Sequence, residues 1–200
     1  MPNSLPLDEQ LTALEAILRR NPVIPELLSR LETLDLPGWY LTAGCLVQTV
    51  WNVVTDRPVD TGIKDYDVFY FDDSDLSYDA EDAVIQRGRE LFADLDVEVE
   101  IRNEARVHLW YEAKFGVPMA PYTSTEAAID SFAATTCSIG IRASNGRWSV
   151  YAPYGLSDTF NLLLRPNPIQ APRRPYLEKS ARWKEIWPEL TILPWPGESD

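Results

Sequence analysis

Histidine and cysteine are nearly missing from this chain: its 200 residues include one His and two Cys. A lone His108 leaves no His-based metal cluster, and an imidazole filling a structural hydrogen-bonding niche is its ordinary role. Cys45 and Cys137 are too far apart in sequence to form a disulfide framework or a zinc spacing, so both are read as reduced. Positive charge is also scarce. With 18 Lys and Arg against 31 Asp and Glu the net charge is −13, which excludes the broad cationic surface that binding to a nucleic-acid backbone needs. No apolar run approaches membrane-spanning length, and Met1–Asp8 has no basic stretch followed by an apolar core. The expectation is a cytoplasmic protein that does not enter a membrane.

What the chain does have is aromatic surface. Seven Trp, nine Tyr and six Phe provide the apolar area of a globular fold, and the length suits one domain over residues 1–200. Within it the sequence divides into N-terminal helices over 1–36, a core over 37–170 and a C-terminal extension over 171–200. Charge is uneven: residues 1–100 hold 21 acids and 7 Lys/Arg, whereas 101–200 hold 10 and 11. A cation-holding half joined to a cation-supplying half suits a small phosphorylated substrate, and a plain surface gradient accounts for the same counts.

Periodicity places amphipathic helices at Asp8–Arg20 and after Pro25 through Leu31, both covering a sheet. Trp39–Cys45 reads as a strand and a glycine turn, followed by a helix through Leu46, Val50 and Trp51. A loop over Thr55–Gly62 comes next. Tyr78–Ala93 and Asn103–Phe115 read as helices, and Ser124 caps a helix over Thr125–Phe132. Thr135–Arg142 and Arg147–Tyr151 read as strands joined by a hairpin turn at Ser144-Asn145-Gly146. Tyr176–Trp187 reads as a basic helix. The architecture expected is mixed α/β or α+β, a small twisted mixed sheet with helices packed mainly on one side.

The centre of the sequence is Lys64-Asp65-Tyr66-Asp67-Val68-Phe69-Tyr70-Phe71. Residues i and i+2 of a strand share a face, so Asp65 and Asp67 project side by side out of an otherwise aromatic and β-branched strand. Two carboxylates that close repel unless a cation lies between them, and Mg²⁺ or Mn²⁺ is the chemistry that oxygen donors favour. A solvated strand end is the plain alternative for so short a motif. Upstream, Gly44 would let the backbone approach an anion at the start of a helix, or would simply make the turn. Downstream, Asp96–Arg102 alternates, with Glu98, Glu100 and Arg102 on one face. Either glutamate would bring a third carboxylate toward the aspartates, and an exposed polar face explains the same pattern.

Gly44-Cys45 at a strand-to-helix turn, then Asp65-Tyr66-Asp67-Val68, then an acid within Val99-Glu100-Ile101, resembles the motif order of the DNA polymerase beta-like nucleotidyltransferase superfamily. The Lys64–Phe71 segment with Arg102-Asn103-Glu104-Ala105-Arg106-Val107-His108-Leu109-Trp110-Tyr111 is similar to a bacterial branch of stand-alone nucleotidyltransferase domains. The resemblance spans about Trp39–Leu164. It implies the polymerase beta-like core and transfer of a nucleoside monophosphate from a nucleoside triphosphate to an acceptor hydroxyl, with Mg²⁺ or Mn²⁺ as cofactor. Asp65 and Asp67 would be the metal-binding pair and Glu100 the third carboxylate, with Glu98 kept open in its place. Gly44 and Cys45 would meet the phosphates, with Lys64 as a further contact and Tyr154 either stacking on the base or packing in the core; by residue type Arg102 and Arg106 reach an acceptor or phosphate or form ordinary surface ion pairs. Two departures stand out: Gly44-Cys45 replaces the usual Gly-Ser or Gly-Gly, and the interval from Gly44 to Asp65 is longer than usual. The acceptor is unidentified; the acidic balance favours a small molecule over an RNA end. A glycosyltransferase whose Asp-x-Asp holds a nucleotide-sugar and a non-catalytic nucleotide-binding module are the competing readings.

Overall fold

A computed structural model describes residues 6–168 and 171–197. In chain order it comprises α1 (Leu7–Leu18), α2 (Val23–Leu31), β1 (Tyr40–Thr42), α3 (Gly44–Val54), β2 (Asp65–Tyr70), α4 (Tyr78–Leu91), β3 (Glu98–Asn103) and α5 (Val107–Phe115). It continues with α6 (Thr125–Asp130), β4 (Gly140–Ser144), β5 (Arg147–Tyr151), α7 (Ser157–Phe160), β6 (Leu163–Leu164), α8 (Arg173–Ile186) and β7 (Thr191–Ile192). Five strands form one mixed sheet in the order β3-β2-β1-β4-β5. β2 and β3 are parallel and the other pairings antiparallel. A parallel pair needs a crossover, and α4 supplies it.

The alternation of β2 sets the two faces. Tyr66, Val68 and Tyr70 are buried, while Asp65, Asp67 and Phe69 face the other way. On the buried side Val68 joins Leu41, Ile101 and Ile141 of its sister strands with Leu14 and Leu18 of α1, Leu27 and Leu28 of α2, and Val47, Val50 and Trp51 of α3. The Asn21 side-chain amide donates to the Tyr66 hydroxyl and to Thr49 Oγ1 inside this layer, each at 3.2 Å. α4 packs onto β3 at Gly88, where an added Cβ would lie 2.2 Å from Ile101 Cδ1. The opposite face is covered in part by α6, whose Glu126 accepts from the Tyr40 hydroxyl at 2.9 Å, and by Phe132, which meets Phe69 edge-on. The mixed architecture with helices mainly on one side is therefore the one observed.

Local signals account for several element ends. Ser77 Oγ accepts from Ala80 N to start α4, and Ser124 Oγ accepts from Ala127 N to start α6. Asn145 and Gly146 both have positive φ, as a two-residue hairpin turn requires. Thr135–Cys137, expected as the start of a strand, is a turn of 3-10 helix instead. There Thr135 N donates to Arg165 O and Cys137 N back to Ala134 O, so the first strand residue is Gly140. Asp8 lies inside α1 rather than capping it.

The C-terminal extension is built into the core. Trp51 of α3 is flanked by Trp183 and Trp187, each 5.3 Å away and steeply tilted to it. Trp187 Nε1 donates to Asn52 Oδ1, while the Asn52 amide donates to Val59 O and Thr61 O and so ties the 55–62 loop to the same point. Among the described residues no helix is long and apolar enough to cross a membrane.

Candidate functional site

Register places the acids. Asp67 is opposite Thr42 of β1 on one side and Glu100 of β3 on the other, and Asp65 is opposite Glu98. Partners in register share a face, so Asp65, Asp67, Glu98 and Glu100 all project on the side away from α1–α3. β1 ends at Thr42, and the turn at Ala43 starts α3, which brings Gly44 to the cavity that Asp67 also lines.

Two cavities open on this face. One, of about 190 Å³, is lined by Gly44, Asp67, Cys137, Tyr176, Lys179 and Trp183 among others. The second, of about 640 Å³, is lined by Asp67, Glu100, Arg102, Glu104, Trp110 and Tyr122 among others. Asp67, Phe69 and Phe132 border both, and the Phe69–Phe132 pair stands between them. Asp67 is thus the carboxylate common to two chambers.

Its electrostatics follow from that position. Burial, and then the charge of Asp65, push the Asp67 carboxyl up to about 7; Lys179 and Arg102 oppose the shift and Glu100 adds to it. Among the described residues no group of three or more His, Cys, Asp and Glu side chains is gathered to hold a metal ion unaided. The donor set nevertheless suits a hard divalent cation completed by substrate oxygens, because Mg²⁺ is commonly held by one or two carboxylates plus phosphates. A cation there would offset the burial and the repulsion that together push the Asp67 carboxyl up. Glu100, half-exposed, accepts a hydrogen bond at 3.1 Å from the exposed Arg102.

Other expected residues fall elsewhere. Cys45 is buried, with its thiol donating to Thr42 O at 3.4 Å and burial pushing its acidity well down, so only its main-chain N–H is available at the helix start. At the turn before Gly44 it is Ala43 that has positive φ, at φ 62° and ψ −132°, a conformation costly for a residue with a Cβ. Lys64 precedes β2 and lines a separate surface hollow with Asp60, Asp96 and Glu98. Glu98 is exposed and borders neither chamber that Asp67 shares. Arg106 does line the larger chamber, but it is ion-paired with buried Glu81 and also donates to Leu76 O, so its guanidinium is already committed. Tyr154 follows β5, near the far edge of the sheet from β3, with its hydroxyl on Asp130 O; it borders neither chamber. His108 also borders neither, and its Nδ1 is buried without a partner among the described residues.

Two residues at the site escaped sequence reasoning. Lys179 reaches the smaller chamber from α8, and its helix is seated by the tryptophan stack. Glu104 is 4% exposed and lines the larger one. Burial, and then the charge of Asp67, push its carboxyl up to about 8.

A family model described as "Nucleotidyltransferase" matches residues 29–192. The chain belongs to the nucleotidyltransferase family. The match covers the aspartate strand, β3 and all of α8, so Lys179 lies within the family region. One similar solved structure, described as revealing a CCA-adding enzyme head domain, superposes with a TM-score of 0.72 at 24% identity. It covers 98% of this chain and 100% of its own, and it shows that the two share a fold. No curated protein matches the sequence. The family and the fold make this nucleotidyltransferase an enzyme of nucleotidyl transfer, and the glycosyltransferase and non-catalytic readings give way to it.

Proposed function

We propose that this nucleotidyltransferase is metal-dependent, that Asp65 and Asp67 hold Mg²⁺ or Mn²⁺ against the triphosphate, and that its acceptor is a small molecule bearing a hydroxyl. The observation that carries the reading is the position of Asp67, the one carboxylate bordering both chambers with Glu100 in register beside it. The chamber by Gly44 suits the triphosphate. The Gly44 and Cys45 N–H groups begin α3 with no acceptor inside the helix, and Lys179 adds a cation across the cavity. The other chamber suits the acceptor. Its volume of about 640 Å³ is that of a small-molecule site, and Trp110 and Tyr122 supply apolar walls beside Arg102 and Lys114.

When bound, the cation supplies charge neutralisation for the triphosphate oxygens. The residues of the chain orient the rest. The N–H groups at the start of α3 and Lys179 fix the phosphates, Phe69 and Phe132 shield Asp67 from bulk water, and Arg102 steers Glu100. With a net charge of −13 the enzyme is a poor receiver of an RNA backbone, which supports the small acceptor.

The test is incubation of the purified protein with each α-labelled nucleoside triphosphate and, separately, the small-molecule, RNA and protein fractions of a cell extract, with Mg²⁺, Mn²⁺ or chelator. Metal-dependent pyrophosphate release together with a labelled small product supports the reading. Label appearing only in RNA or protein overturns the acceptor class, and turnover in excess chelator overturns the metal.

A further inference from the structure

Glu104 is the buried acid that the proposed function leaves without a task. It lies in the 3-10 turn Glu104–Arg106 that closes β3, 4% exposed, with its side chain on the wall of the larger chamber. Among the described residues none makes a hydrogen bond or ion pair with its carboxyl group; the charges it feels are those of Asp67 and Arg102. A buried, unpaired carboxyl costs stability and calls for a compensating use.

The turn that carries it is held firmly. Asn103 Oδ1 accepts from Ala105 N at 3.1 Å and from Asp72 N at 3.0 Å, and Asn103 Nδ2 donates to Asp72 O at 2.8 Å. Glu81 accepts from Asn103 N at 2.9 Å and pairs with Arg106, which in turn donates to Leu76 O. Asn103, Glu81 and Arg106 are thus taken up by one another and by Asp72 and Leu76, while the Glu104 carboxyl on the cavity wall has no such partner. That is the preorganisation expected of a group acting on a bound molecule. Glu100, by contrast, is half-exposed and already accepts from Arg102.

We propose that Glu104, rather than Glu100, is the catalytic residue that takes the proton from the acceptor hydroxyl in the larger chamber. This rests on the reading that the chamber holds the acceptor. In the step, the acceptor O–H bond breaks and its proton passes to a Glu104 carboxylate oxygen. The acceptor oxygen forms a bond to the α-phosphorus. The bond from that phosphorus to the bridging oxygen breaks, and pyrophosphate leaves with the electron pair. Glu100 remains on the cation-holding face beside Asp67.

The experiment compares wild type, Glu104→Gln, Glu104→Ala and Glu100→Gln. The substrates are α-labelled nucleoside triphosphates, Mn²⁺ and the small-molecule extract fraction; binding of an α,β-methylene triphosphate with Mn²⁺ is followed in parallel. Glu104→Gln should lose at least about a hundredfold in product formation, the usual contribution of a positioned proton acceptor, with analogue binding and thermal melt no worse than wild type. Formate should restore part of the Glu104→Ala rate by occupying the vacated space, and Glu100→Gln should show no formate response. Overturning results are a Glu104→Gln rate within fivefold of wild type, loss of rate matched by loss of analogue binding, or no formate rescue. A wild-type protein that forms no product sinks the proposed function first and this assignment with it. An active wild type with an active Glu104→Gln sinks this assignment alone.

Discussion

Asp67 and Glu100 are register partners across the parallel strands β2 and β3, and Glu100 adds to the charge that keeps the Asp67 carboxyl near neutral titration. Two acids meet on a sheet face where a stable apo protein would prefer none. The site is therefore a source of instability that a bound cation would relieve.

Asp67→Asn should remove metal-dependent turnover while leaving the fold intact. It should also raise the melting temperature of the apo protein near pH 7–8. The folded-state acid titrates near 7 against an ordinary value of 3.8. Between those values the folded form holds a proton that the unfolded chain has released, so stability falls as pH rises through that window. Mn²⁺ should raise the wild-type melting temperature and leave that of the variant unchanged. Differential scanning fluorimetry with and without Mn²⁺ reads both effects.

Glu104 extends the same slope. Its folded-state carboxyl titrates near 8 against 4.5, so its cost grows as pH rises from about 4.5 to 8. Glu104→Gln should flatten the upper part of the melting-temperature profile and gain most at pH 8 and above. A profile parallel to wild type across pH 5–9 would contradict the burial described for this acid.

Lys179→Ala should weaken triphosphate binding by roughly tenfold, the scale of one charge-assisted contact to phosphate. The amine is exposed on α8, so the melting temperature should hardly move. Equilibrium binding of a non-hydrolysable triphosphate with Mn²⁺ checks this.

Arg106→Ala should act on stability before activity. It would leave Glu81 buried without its cation, a loss of about 3–5 kcal/mol for a broken buried pair. Urea unfolding should show the drop, and activity per folded molecule should fall as well because the turn carrying Glu104 loosens.

Gly88→Ala tests the seat of β3. The new Cβ would meet Ile101 Cδ1 at 2.2 Å, so α4 must lift or Ile101 must turn, at about 1–3 kcal/mol. Since Ile101 follows Glu100 directly, pyrophosphate release should fall together with the unfolding midpoint.

The acidic strand was readable because its pattern is local: alternation in Asp65–Tyr70 states both the element and the face, and the same holds for Glu98–Asn103. The turn at Asn145-Gly146 and the Ser124 cap were readable for the same reason. Lys179 was not, because it reaches Asp67 only through the packing of Trp183 and Trp187 on Trp51, which no periodicity encodes. Glu104 looked like the polar start of a helix; a 3-10 turn swung it inward once Asn103 and Arg106 found Asp72 and Glu81. Lys64 and Tyr154 were chosen for residue type, and strand direction and sheet order carried them away. The β-branched Thr135-Thr136 pair suggests a strand, but the Thr135 N–H is spent on Arg165 O and the Thr136 hydroxyl on Leu163 O and Arg165 N.

Indole emission responds to the polarity around the ring, and three of this protein's seven tryptophans meet where the last helix closes on α3. The chain therefore carries its own optical gauge: a red shift on loosening of the tail would report, without any label, a movement of the helix that carries Lys179.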